Sequence, residues 1–93
     1  MTIPEITTRD QEIVTIAGHI ELYRAEIDHI IDQGAYIIAY RRIYRPYRTE
    51  AGAYRTETVY ASGSPLTRKG RYYVCSPAEY ADYQQQLEGR DQA

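Results

Sequence analysis

Ninety-three residues make one domain, near the lower end of the sizes at which a single core holds a fold without staples. Apolar residues are 43% and charged residues 26% of the chain, and no apolar run approaches the ~18 residues that span a bilayer, which excludes an integral membrane protein built of helices. The net charge of −2 is unevenly spread, at −5 over residues 1–40, +6 over 41–71 and −3 over 72–93, so the folded molecule is expected to be polarised.

Met1 to Glu5 lacks the basic and apolar regions of a secretory signal, and Cys75 is the one cysteine, so no internal disulfide forms and a cytoplasmic location is expected. Eleven tyrosines and eleven isoleucines stand against no phenylalanine or tryptophan, so every aromatic ring carries a hydroxyl. Eight of those tyrosines lie between Tyr36 and Tyr73, the half of the chain that reads as sheet.

In chain order, residues 1–7 form a lead-in in which Ile3 and Ile6 are available to tuck against the body. Thr8 and Gln11 match a capping box, and apolar residues at Ile13, Ile16, Ile20, Tyr23, Ile27, Ile30 and Ile31 then predict one long helix over 9–33, ended by Gly34. The β-branched run Ile13-Val14-Thr15-Ile16 supports a competing reading, a short strand with Gly18 as the turn before a shorter helix. On the continuous helix, Val14, Gly18, Leu22 and Ala25 form a second face where a homodimer could pack.

Residues 35–75 read as a three-stranded sheet: a strand from Ala35 to Arg45, a turn at Thr49 to Ala53, a strand from Tyr54 to Ala61, a loop over 62–70, and a strand from Arg71 to Cys75. Ser76, Pro77 and Glu79 then open a helix over 77–88, with Gly89 as its stop and 90–93 as a tail. The expected fold is α+β in the order α-β-β-β-α, a small antiparallel sheet packed on the long helix and closed by the short one. Parity along the strands places Tyr36, Ile38, Tyr40, Tyr44, Tyr54, Tyr60, Tyr72 and Val74 against the helix, and directs the odd positions outward.

That outward face carries Arg41, Arg45, Arg55, Arg71, Tyr47 and Tyr73, and with Arg48 these seven residues are the predicted partner-binding surface. Arginine and tyrosine together supply contact area and directional hydrogen bonds, and the guanidinium fork suits carboxylates and phosphates alike. A charged outer face is equally what any exposed sheet needs in water. Glu26 and His29 have the Glu-x-x-His spacing of a metal pair, but both fall off the buried stripe, and His19 lies on the same polar side. Cys75 precedes a helix N-terminus, where a thiol can be activated, yet no base adjoins it and a buried core cysteine is the better reading. No catalytic residue, metal site or cofactor is predicted, and no enzymatic role is expected.

The order helix, three strands, helix resembles the double-stranded RNA-binding domain over residues 9–89. Ser76-Pro77-Ala78-Glu79 stands where that family has a lysine cluster, and Thr49-Glu50-Ala51-Gly52 where it has a Gly-Pro-x-His loop, so duplex RNA is not the implied ligand. In general character, short, acidic and free of cofactor motifs, the chain also resembles the small inhibitors that bacteriophages encode against host defences, including anti-CRISPR proteins. That resemblance implies a non-enzymatic inhibitor in the host cytoplasm that occludes a protein or nucleoprotein complex. Binding of single-stranded or structured nucleic acid by a basic sheet with interleaved aromatics is the alternative.

Overall fold

The computed structural model describes residues 8–91, and the side chains of residues 10–89. The lead-in expected at 1–7 and the last two residues of the tail lie outside these. Six strands in two sheets and two helices replace the expected α-β-β-β-α order.

The long N-terminal helix is not formed. After a single 3-10 turn at Thr8–Gln11, Ile13–Ile16 (β1) and Ile20–Tyr23 (β2) pair as an antiparallel hairpin, and the first helix (α1) is only Arg24–Asp32. Two causes decide it. The β-branched run loses rotamer freedom in a helix and packs well on a pleated surface. Ala17 and Gly18 also take left-handed backbone, φ 53° and 78°, the conformation of a tight hairpin and not of a helix. Alternation then sorts the side chains: Val14, Ile16, Ile20 and Leu22 face inward, while Ile13 and Tyr23 of the supposed helical stripe are 57% and 51% exposed. The proposed dimer face dissolves with the helix. Leu22 and Val14 belong to the core, Gly18 lies in the turn, and Ala25 is alone on α1.

Helix α1 buries Ile27 and Ile30 and ends in a Schellman motif. The Ala35 amide donates to Ile30 and the Gly34 amide to Ile31, both at 3.0 Å, with Gly34 at φ 67°.

The expected first strand of the sheet is two strands. Tyr36–Ala39 (β3) and Arg42–Arg48 (β4) pair around the two-residue turn Tyr40–Arg41, followed by Tyr54–Ala61 (β5) and Tyr72–Cys75 (β6), in the order β5-β4-β3-β6 with every pair antiparallel. Tyr40 sits at φ 54°, a conformation that costs a non-glycine residue about 1–2 kcal/mol. The 62–71 loop holds it there. The Tyr40 amide donates to Thr67 Oγ1 at 2.6 Å, and its carbonyl accepts from the Leu66 amide at 2.6 Å and the Thr67 amide at 3.2 Å.

This turn also overturns the predicted parity. Ile37 and Ala39 of β3, not Tyr36 and Ile38, face the hairpin and α1, whereas β4 and β5 present Tyr44, Pro46, Tyr54, Thr56 and Thr58 to that side. A bulge opposite Ile43/Tyr44 then returns Tyr60 to the other face. Ile27, Ile37 and Ile43 are fully enclosed, each burial contributing about 1.5–3 kcal/mol.

The second helix (α2), Pro77–Asp91, runs past the stop expected at Gly89. Ser76 caps it, accepting the Glu79 amide at 3.2 Å. It covers the outer sheet face at β3 and β6: the Tyr80 ring stacks on Tyr36 with centroids 3.9 Å apart, and Tyr83 and Glu79 wall a cleft with Ile38, Leu66 and Cys75. The molecule is therefore two layers, hairpin with α1 against the four-stranded sheet, with the first two turns of α2 resting on the sheet's outer face.

Candidate functional site

Three connections meet at one end of the sheet: the hairpin tip Ala17 to His19, the turn Tyr40–Arg41, and the last part of the 62–71 loop. They border a half-open recess of about 560 Å³ whose walls include His19, Ile20, Glu21, Ala39, Tyr40, Lys69, Gly70, Arg71 and Tyr72. A second recess of about 360 Å³ shares His19, Ala39 and Tyr40 with it and adds Arg41, Arg42 and Tyr44.

The local chemistry explains how this end is held. The Arg71 amide donates to the Arg68 carbonyl at 3.0 Å, closing a turn in which Gly70 takes φ 84°. Buried Thr67 links that turn to the other one: its hydroxyl oxygen accepts the Tyr40 amide, and its O–H faces the carbonyls of Arg68 and Arg71, each at 3.2 Å. His19 donates from Nδ1 to the Ala17 carbonyl at 2.9 Å and sets its ring edge-on to Tyr44. The Arg41 guanidinium lies 5.3 Å from the centre of the Tyr40 ring, a cation–π contact. Burial, with the Glu26 carboxylate adding to it, pushes the Tyr72 phenol up, so this hydroxyl stays a neutral donor.

Charge divides sharply between this end and the rest. Arg41, Arg42, Arg68, Lys69 and Arg71 have no carboxylate partner among the described residues, and Glu21 is the one acid on the cavity wall. Elsewhere, Arg55 apart, the described cations are tied into the fold. Arg24 pairs with Glu12 at 2.7 Å and donates to the Tyr54 hydroxyl at 3.2 Å. Arg48 reaches across to α1, binding Asp28 at 3.1 Å and Asp32 at 2.6 Å, and Tyr54 donates to the same Asp28 at 2.8 Å.

The seven predicted surface residues are therefore not one patch. Arg41 and Arg71 stand at the basic end. Arg45 and Arg55 are exposed on the outer face of the β4–β5 ribbon beside half-buried Tyr47, but Arg45 is tied to Glu57 at 2.6 Å and lies over the Tyr47 ring. Arg48 points to the opposite, inner side, and Tyr73, 61% exposed, stands at the sheet edge near α2. Arg42, Arg68, Lys69, His19 and Glu21 were not in the predicted set. The run Arg68-Lys69-Gly70-Arg71 is plain in the sequence, but its proximity to Arg41 and Arg42 depends on the turn at Tyr40.

Cys75 is buried, and its thiol is pushed up by burial and then by the Glu79 carboxylate, which makes it inert. Glu26 accepts the Tyr23 amide at 3.1 Å, and no group of three or more His, Cys, Asp or Glu side chains able to hold a metal occurs among the described residues. No helix among the described residues is long and apolar enough to cross a membrane.

Compared with family models, curated proteins and solved structures, the chain matches none. The double-stranded RNA-binding order inferred from the sequence is not its architecture.

Proposed function

We propose that this chain is a non-enzymatic binding protein that docks its basic end on an acidic surface of a larger protein or nucleoprotein assembly and inhibits that assembly by occlusion, in the cytoplasm. The observation that carries the reading is the gathering of five cations without carboxylate partners among the described residues at one end, on the start of β4 and on a turn and loop clipped together by Thr67. Unpaired exposed cations add little to the stability of a fold. Held in place, they steer an oppositely charged partner and set its orientation. The phage-inhibitor character of the sequence fits the same mode of action. The Arg55 side chain, exposed and without a carboxylate partner among the described residues, is a separate cation on β5, six residues from the Ala61 that pairs with Arg42 at the basic end.

Nucleic acid is the second reading, favoured by Tyr40 and Tyr72 standing among the same cations, since aromatic rings stack on bases. The test is affinity capture from the host with the wild-type chain and with the Lys69→Glu/Arg71→Glu variant, before and after nuclease treatment. A defined protein assembly that survives nuclease and disappears with the variant supports the first reading. Equal capture by both chains, with both folded, refutes it. Recovery of nucleic acid alone, with log affinity falling by about 0.9 per phosphate contact against log salt, moves the surface to the second reading.

A further inference from the structure

The basic end is more than a charged surface, because its cations border a half-open recess with largely apolar walls. Ile20 and Ala39, 4% and 3% exposed, form the floor of the 560 Å³ cavity, and the rings of Tyr40 and Tyr72 stand on its walls. Lys69 and Arg71 flank Gly70 on the same wall, and Glu21 lies opposite in character. A cavity of this size falls within the range of small-ligand sites, about 300–1,000 Å³, which combine apolar lining with a few polar groups.

The combination selects a ligand. Lys69 and Arg71 supply an ammonium and a guanidinium fork, the pair of donors suited to a phosphate monoester. The Tyr40 and Tyr72 rings line the recess, with the Arg41 guanidinium over Tyr40 and Tyr72 partly packed on the core, and aromatic surface of this kind suits a flat ring. The Glu21 carboxylate accepts hydrogen bonds only from donors such as sugar hydroxyls, and it would repel a second anion. The turn that carries Tyr40 is fixed by Thr67 before any ligand arrives, so little ordering remains to be done on binding.

We propose that this recess binds a nucleoside monophosphate, with the phosphate on Lys69 and Arg71, the base against the tyrosine-lined wall, and the sugar hydroxyls toward Glu21. A free nucleotide and the 5′-phosphorylated end of a strand present this same chemistry. The site is independent of the partner-docking reading, which needs the cations but not the cavity.

The test is an NMR titration of the full chain, following backbone amides, with AMP, adenosine, inorganic phosphate and a 5′-phosphorylated oligonucleotide at constant ionic strength. Saturable shifts with AMP at His19, Gly70 and Tyr72 are expected, with adenosine and inorganic phosphate each binding about tenfold more weakly or worse. Lys69→Ala/Arg71→Ala, both at exposed side chains, should weaken AMP by about tenfold or more. The oligonucleotide binding as tightly as AMP at the same amides makes the strand end the source, and weaker binding makes it the free nucleotide; either upholds the site. No saturable shift with AMP, or inorganic phosphate matching AMP, overturns it. Either failure leaves the affinity-capture comparison to stand or fall by itself.

Discussion

Thr67→Val replaces one hydroxyl by a methyl group of nearly the same shape, and it strikes the contact that holds the basic end together. The residue is buried, and its Oγ1 is the 2.6 Å acceptor for the amide of Tyr40, which lies in left-handed backbone. Valine leaves that amide without its acceptor, at about 1–3 kcal/mol, and removes the donation toward the Arg68 and Arg71 carbonyls, at about 0.5–1.5 kcal/mol. Those carbonyls sit in an exposed loop where water replaces the lost donor, so the total should be near 2 kcal/mol, about 8–16 °C in Tm for a domain of this size. Thr67→Ser keeps the hydroxyl and loses only a methyl group, at about 1 kcal/mol. Urea unfolding of the three proteins gives the ranking wild type, serine, valine, with faster hydrogen exchange of the Tyr40 amide in the valine variant alone. A valine variant as stable as the serine variant would refute the claim that this hydroxyl holds the turn.

Four further outcomes are expected. Gly18→Ala should destabilise by about 1 kcal/mol in thermal unfolding, because φ 78° is unfavourable for alanine while no atom lies within 4 Å of the added Cβ. A continuous helix would give the opposite sign, a gain of about 1 kcal/mol. Tyr54→Phe removes the hydroxyl that accepts from Arg24 and donates to Asp28, and should cost about 1 kcal/mol in urea unfolding without changing the slope. The alkaline limb carries a third. Cys75, Tyr72 and Tyr80 all have folded-state pKa values raised by burial above the ordinary thiol and phenol values, so the unfolded chain releases these protons first. Their contribution is complete below the ordinary thiol value near 9 and is lost as pH rises through the raised values, so unfolding midpoints should fall above about pH 9. In the same range Cys75 should alkylate far more slowly in the folded protein than in urea; equal rates would contradict its burial.

Much of the local structure was legible. The N-cap Ser76 with Pro77 and Glu79 opens α2 where the sequence places a helix, and the turn at Thr49 to Ala53 is closed by the Thr49 amide on the Ala53 carbonyl at 2.8 Å. These signals are short-range and need no other part of the chain. The β-branched run at 13–16 also carried the correct element as the competing reading, and the helical spacing prevailed over it because Ile16 and Ile20 satisfy both periods, four apart along a helix and paired across a hairpin.

The candidate site was legible only in its composition. Arg41 and Arg71 are at the basic end, but strand alternation groups them with Arg45 and Arg55 only where one unbroken strand runs from Ala35 to Arg45. Tyr40-Arg41 carries no glycine, asparagine or proline to mark a turn. The left-handed tyrosine exists because Leu66 and Thr67, more than twenty residues away, supply its hydrogen bonds.

The sequence by itself determined an uneven charge distribution, the β-branched and tyrosine-rich makeup of the sheet, the glycine stop after α1 and the cap of α2, each a property of neighbouring residues. Only the tertiary structure decided which cations remain free. Arg45, Arg48 and Arg24 find carboxylates on other elements, whereas the Tyr40 turn and the 62–71 loop bring Arg41, Arg42, Lys69 and Arg71 to an end where Glu21 is the one acid on the cavity wall. Pairing of charges is set by distance through space, and that distance follows from the turns and not from position along the chain.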